Sequence, residues 1–99
     1  MYKDEGYTVK DSEELAYFLE NLWSKGFKLT DEEVRFIYFG QKYTNTSVSH
    51  AKLALQFTLS LQMTFDRSFY ISLLEIFAKN KIANKNQAIS LLKENGLMA

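Results

Sequence analysis

Cysteine and proline are absent, histidine occurs once and glycine four times, and the 12 basic side chains are matched by 12 acidic ones. These scarcities close off several kinds of chemistry. Without cysteine there is no disulfide staple, thiolate nucleophile, iron–sulfur cluster or cysteine-based zinc site, so stability has to come from packing. With His50 as the single histidine, any site that used it for a metal would draw its other ligands from carboxylates. The acidic clusters on offer, Glu13-Glu14 and Asp31-Glu32-Glu33, fall where first helical turns are expected. There they complement the macrodipole and cap free N–H groups, so no metal or other cofactor is inferred. Ser47 and Ser49 flank the same histidine but read as cap and loop residues, and no Gly-x-Ser-x-Gly elbow surrounds them. Gly6, Gly26, Gly40 and Gly96 are scattered singly, which leaves neither a P-loop nor a dinucleotide fingerprint. The chain reads as non-enzymatic, with no catalytic residue and no small-molecule ligand.

No apolar run approaches the roughly 20 residues that span a bilayer, and no basic start followed by an apolar stretch opens the chain, so a cytoplasmic protein is expected. The preference for lysine over arginine, with many Asn, Phe and Tyr, points to an AT-rich bacterial or phage coding sequence.

What is present suffices for one core. The 99 residues are 46% hydrophobic and 24% charged, and a chain of this length buries roughly 60–70% of its unfolded surface, enough for a single domain. Helix boundaries are the clearest signals. Asp11-Ser12-Glu13-Glu14 reads as a capping box, followed by Leu15, Phe18, Leu19 and Leu22 at helical spacing and closed by Gly26, which predicts a helix over 12–25. Thr30 with Glu33 repeats the device, and Leu29 is placed to staple onto Val34, which starts a second helix over 31–44. Its apolar face runs through Val34, Ile37, Tyr38 and Tyr43, with Phe36 and Phe39 off that line. Gly40 interrupts it at a cost of roughly 1 kcal/mol, which points to another backbone coming close. Ser47 or Thr46 caps the next segment.

From Leu53 to Phe65 every odd position is apolar, the periodicity of a strand. The residue types oppose this, being mostly Leu, Ala, Gln and Met with no Val or Ile, and no other stretch alternates to pair with it. A helix over 48–64 is therefore expected, apolar on most sides and surrounded by others, its Thr and Ser hydroxyls returned to the backbone. Asp66 caps a fourth helix over 67–80. Asn84 with Gln87 caps a fifth over 85–95, ended by Asn95-Gly96. The expected fold is an all-α single domain of about five helices, with central helices largely buried and residues 1–10 loosely ordered. It should show about 65–70% helix, well above the one-third typical of globular proteins.

Two functional readings follow. Segments 34–43, 53–65 and 69–78 are apolar beyond one stripe, more than a lone domain of this size easily hides. Some of that surface should meet another chain, with Tyr17, Trp23, Tyr38 and Tyr43 as anchors. This reading is a protein-interaction module that binds itself, as a homodimer, or another protein. Charge is unevenly spread as well: residues 1–33 carry nine acids and four bases, residues 34–65 three bases and no acid, and residues 66–99 five bases and three acids. Such opposed regions let the acidic first third fold against the basic remainder or let like molecules meet head to tail, beside the plain reading of solvated helix faces. The alternative is a small nucleic-acid-binding regulator using the basic C-terminal helix pair, through Lys79, Lys81 and Lys85. That group resembles a helix-turn-helix only in outline. The turn lacks its glycine, and a neutral chain has little excess charge to release counterions.

Overall fold

In the computed structural model, which describes residues 9–98, every expected helix is present: α1 (Val9–Ser24), α2 (Asp31–Tyr43), α3 (Val48–Gln62), α4 (Arg67–Lys79) and α5 (Lys85–Glu94). The described residues contain no strand. Among them, no helix is long and apolar enough to cross a membrane.

The caps explain why the boundaries are legible. The Thr30 N–H donates to Glu33 Oε1 (2.9 Å) and the Glu33 N–H donates to Thr30 Oγ1 (3.1 Å), a complete capping box. Ser47 Oγ accepts the His50 N–H and Asp66 Oδ1 accepts the Phe69 N–H. At α5 the Asn84 carbonyl oxygen Oδ1 accepts the Gln87 N–H, while Gln87 Oε1 reaches one residue further back, to the Ala83 N–H. Gly26 and Gly96 adopt positive φ, and each ends its helix with the paired 6→1 and 5→2 bonds of a Schellman motif. Asn45, at φ 57°, ends α2 in the same way without glycine.

One expected boundary needs correction. α1 begins at Val9, three residues before the expected start, so Asp11 lies inside the first turn and is not the N-cap. An acid in the first turn satisfies the macrodipole as well as a cap does, so the acidic run alone does not fix the boundary. Of the segment expected to be loosely ordered over 1–10, residues 9 and 10 are the first of α1 and the rest lies outside the described residues.

The leucines of the middle segment belong to a helix. Positions two apart on a strand share a face, whereas on a helix they lie about 200° apart. The alternating pattern thus wraps apolar groups around most of α3. Val48, Ala51, Ala54, Leu55, Phe57, Thr58 and Leu59 are buried, while Gln56 and Ser60 keep an exposed strip. α3 packs against α1, α2 and α4, and α4 in turn carries α5. The hydroxyl of Thr58, fully buried, donates to the Ala54 carbonyl at 2.7 Å, so it leaves no unpaired group in the core. The rest of the core comes from Leu15 and Leu22 of α1, Ile37 of α2, Tyr70, Leu73, Leu74 and Phe77 of α4, and Ala88 and Leu92 of α5.

Met63 ends α3 at φ 63° with 81% of its surface exposed. A non-glycine residue pays about 1–2 kcal/mol in that left-handed well, and an outward side chain returns little packing. Met63→Gly should therefore raise stability by about 0.5–1 kcal/mol after allowing for the greater freedom of glycine in the unfolded chain. A thermal melt checks this. An unchanged or lower midpoint would mean that the methionine packs against something after all.

Candidate interaction surface

The anchors expected from the sequence separate in the structure. Tyr17 and Trp23 of α1 and Tyr43 of α2 are exposed (68, 53 and 69%), whereas Tyr38 is half-buried against the core. The outward place on α2 belongs to Phe39, 55% exposed, which the spacing sets off the apolar line of the helix but which is not among the expected anchors. The surplus apolar surface also has a narrower origin than expected. The segments 53–65 and 69–78 supply only Met63 among the exposed large hydrophobic side chains, and the others are Tyr17, Trp23, Phe27, Phe39 and Tyr43. α3 and α4 lose their excess to one another and to the helices packed on them.

The aromatic groups of α2 form a continuous row. From the buried Tyr70 ring the row passes to Phe65 (5.5 Å between centroids) and to Phe36 (6.3 Å), then along α2 to Phe39 (6.0 Å) and Tyr43 (5.4 Å). Phe39 and Tyr43 lie 18° from parallel, an offset stack on the surface, and the Arg67 guanidinium sits 5.3 Å from the Phe36 ring centre. Spacings of three and four residues place Phe36, Phe39 and Tyr43 on one helix face. Acids mark one end of this face, with Asp31, Glu32 and Glu33 in the first turn, and bases follow at Arg35 and Lys42. Beyond Tyr43 a shallow cleft is lined by Thr44, Glu75, Ala78 and Lys79.

On the other side of the molecule the stripe along the outside of α1 consists of Glu13, Tyr17, Glu20 and Ser24, all exposed. The Trp23 ring is covered in part by Lys28, whose Nζ lies 5.7 Å from the ring centre. Phe27, 40% exposed, borders a groove of about 160 Å³ between α1 and α3.

Lys79, Lys81 and Lys85 are exposed around the α4–α5 connection. Lys79 falls in the last turn of α4, where a cation complements the macrodipole, and the Lys85 ammonium lies 6.0 Å from the Phe57 ring centre. His50 is half-buried. Its Nε2 meets the Ile82 carbonyl at 3.4 Å and its ring lies 5.8 Å from that of Phe77, so it ties the start of α3 to the α4–α5 connection. Among the described residues no group of three or more His, Asp or Glu side chains is placed to hold a metal ion. Glu33 is engaged in its capping box.

No curated protein and no solved structure matches the chain. The model of a family of unknown function, DUF6123, matches residues 10–98, and the chain belongs to that family.

Proposed function

We propose that the chain is a non-enzymatic, cytoplasmic protein-interaction module that self-associates as a homodimer. The observation that carries this reading is the exposed Phe39–Tyr43 stack, continuous with the core through Phe36, Phe65 and Tyr70. Aromatic side chains held by a packed base and half open to water are the groups that supply most binding energy in protein interfaces, because their burial on association costs little conformational entropy. Sedimentation or light scattering at micromolar concentration should return a species of twice the 11.5 kDa chain mass. A single 11.5 kDa species up to the highest soluble concentration would rule out the homodimer.

The exposed lysines Lys79, Lys81 and Lys85 serve the second reading, a small nucleic-acid-binding regulator. Its mark would be duplex binding that is tight at about 50 mM salt and lost by about 200 mM. No binding at the lower salt would eliminate it.

A further inference from the structure

Resting on the homodimer reading above, we infer that α2 is the self-association element and pairs antiparallel with α2 of a second copy. Glu32, Phe36, Phe39 and Tyr43 run along one face at spacings of four, three and four residues, Phe36 half-buried against the core and the others exposed. That sequence of spacings is the same in either direction. Turning one copy end for end therefore sets Phe36 over Phe39 of the partner and Glu32 over Tyr43, with no residue of the row left over. The charges agree with the same orientation. The acidic first turn of one α2 comes beside Lys42 of the other, and the positive end of one helix dipole lies beside the negative end of its mate. A parallel pair would bring acid against acid and base against base.

The outer stripe of α1 does not offer a self-pairing of this kind, because its charged members, Glu13 and Glu20, are both acids. A contact between the acidic α1 of one chain and the basic part of the next joins two different patches of each chain. The α2 pair is isologous and closes at two.

The absence of native cysteine makes the geometry directly readable. Positions 32 and 43 are separated by about 16 Å along the helix, and a disulfide requires Cα atoms within about 7 Å. Chains carrying Glu32→Cys should not cross-link to themselves under mild oxidation, nor should chains carrying Tyr43→Cys. An equimolar mixture of the two should give a disulfide-linked dimer. Phe39→Glu should weaken self-association by about 30-fold while leaving the helical circular dichroism unchanged, since the ring is already half outside the core. Glu32→Lys and Lys42→Glu should each weaken it, and the two together in one chain should restore it. Self-linkage of Glu32→Cys would overturn the antiparallel orientation. A wild-type dimer in which the mixture fails to link, or in which Phe39→Glu has no effect, would overturn α2 as the interface while leaving the homodimer standing. A wild-type chain that never dimerises would overturn both.

Discussion

Replacing Gly40 by valine is expected to destabilise the fold by about 3 kcal/mol or more, and replacing it by alanine by about 1–2 kcal/mol. On an isolated helix both changes would help, since glycine costs about 1 kcal/mol relative to alanine in a helix interior. The sign reverses because the position is occupied from outside. A Cβ there would lie 2.9 Å from Ile71 Cδ1, 3.0 Å from Tyr70 Cε2 and 3.3 Å from Leu74 Cδ1. The Ile71 methyl ends a flexible side chain and swings away cheaply. The Tyr70 ring does not, because its hydroxyl is held by the Ile37 carbonyl at 2.7 Å and its face by Phe65. Accommodating alanine thus means moving α4 off α2 by a few tenths of an ångström, and valine adds two methyl groups to the same gap. Thermal unfolding at neutral pH reads both effects, since in a domain of this size each kcal/mol corresponds to roughly 4–8 °C in midpoint. An alanine variant as stable as wild type would show that the helices are not in close contact at this position.

Gly40 also shows how much of the molecule was legible beforehand. A lone glycine in the middle of an apolar helix points to another backbone close by, and what comes close is instead the side chains of Tyr70, Ile71 and Leu74 of α4. Had that implication been used to fix the rotation of α2, the outward residue would have followed as well. With Ile37 and Gly40 turned inward, Phe39 lies about 200° round the helix from one and 100° from the other, which leaves it facing solvent. Hydrophobicity alone does not separate Phe36, Tyr38 and Phe39, because the neighbour that decides among them is 30 residues away in the chain. The caps at Thr30, Ser47, Asp66 and Asn84 were readable because each is a local bond between residues three apart. The start of α1 was not, since an acidic run is equally content at the cap and in the first turn. The apolar surface left over on segments 53–65 and 69–78 is smaller than expected for a related reason. Each packs on at least three other helices, and a pattern read one helix at a time does not count how many neighbours will cover it.

The second large effect belongs to the hydroxyl of Tyr70. Its ring is fully buried and its O–H donates to the Ile37 carbonyl, a bond from α4 to α2 across the Gly40 contact. Tyr70→Phe keeps the ring and its packing but removes the donor, which should cost about 1–1.5 kcal/mol, the net worth of one buried hydrogen bond, since the Ile37 carbonyl keeps its helical partner and only the added bond is lost. The same group sets a pH dependence. Burial pushes the phenol well above its ordinary value of about 10, because the phenolate would be stranded away from water. The folded chain therefore holds this proton more tightly than the unfolded chain does. The stabilisation is complete below about pH 10 and is lost as pH climbs beyond it, with a slope of up to about 1.4 kcal/mol per pH unit. Urea unfolding of wild type and Tyr70→Phe should show a constant gap from about pH 7 to pH 9.5 and a shrinking one above pH 10, the variant's curve falling less steeply. The other five tyrosines are the same in both chains and drop out of the difference. Parallel curves through pH 11 would mean that the phenol reaches solvent in the folded protein, and the bond that locks α4 onto α2 would then have to be sought elsewhere.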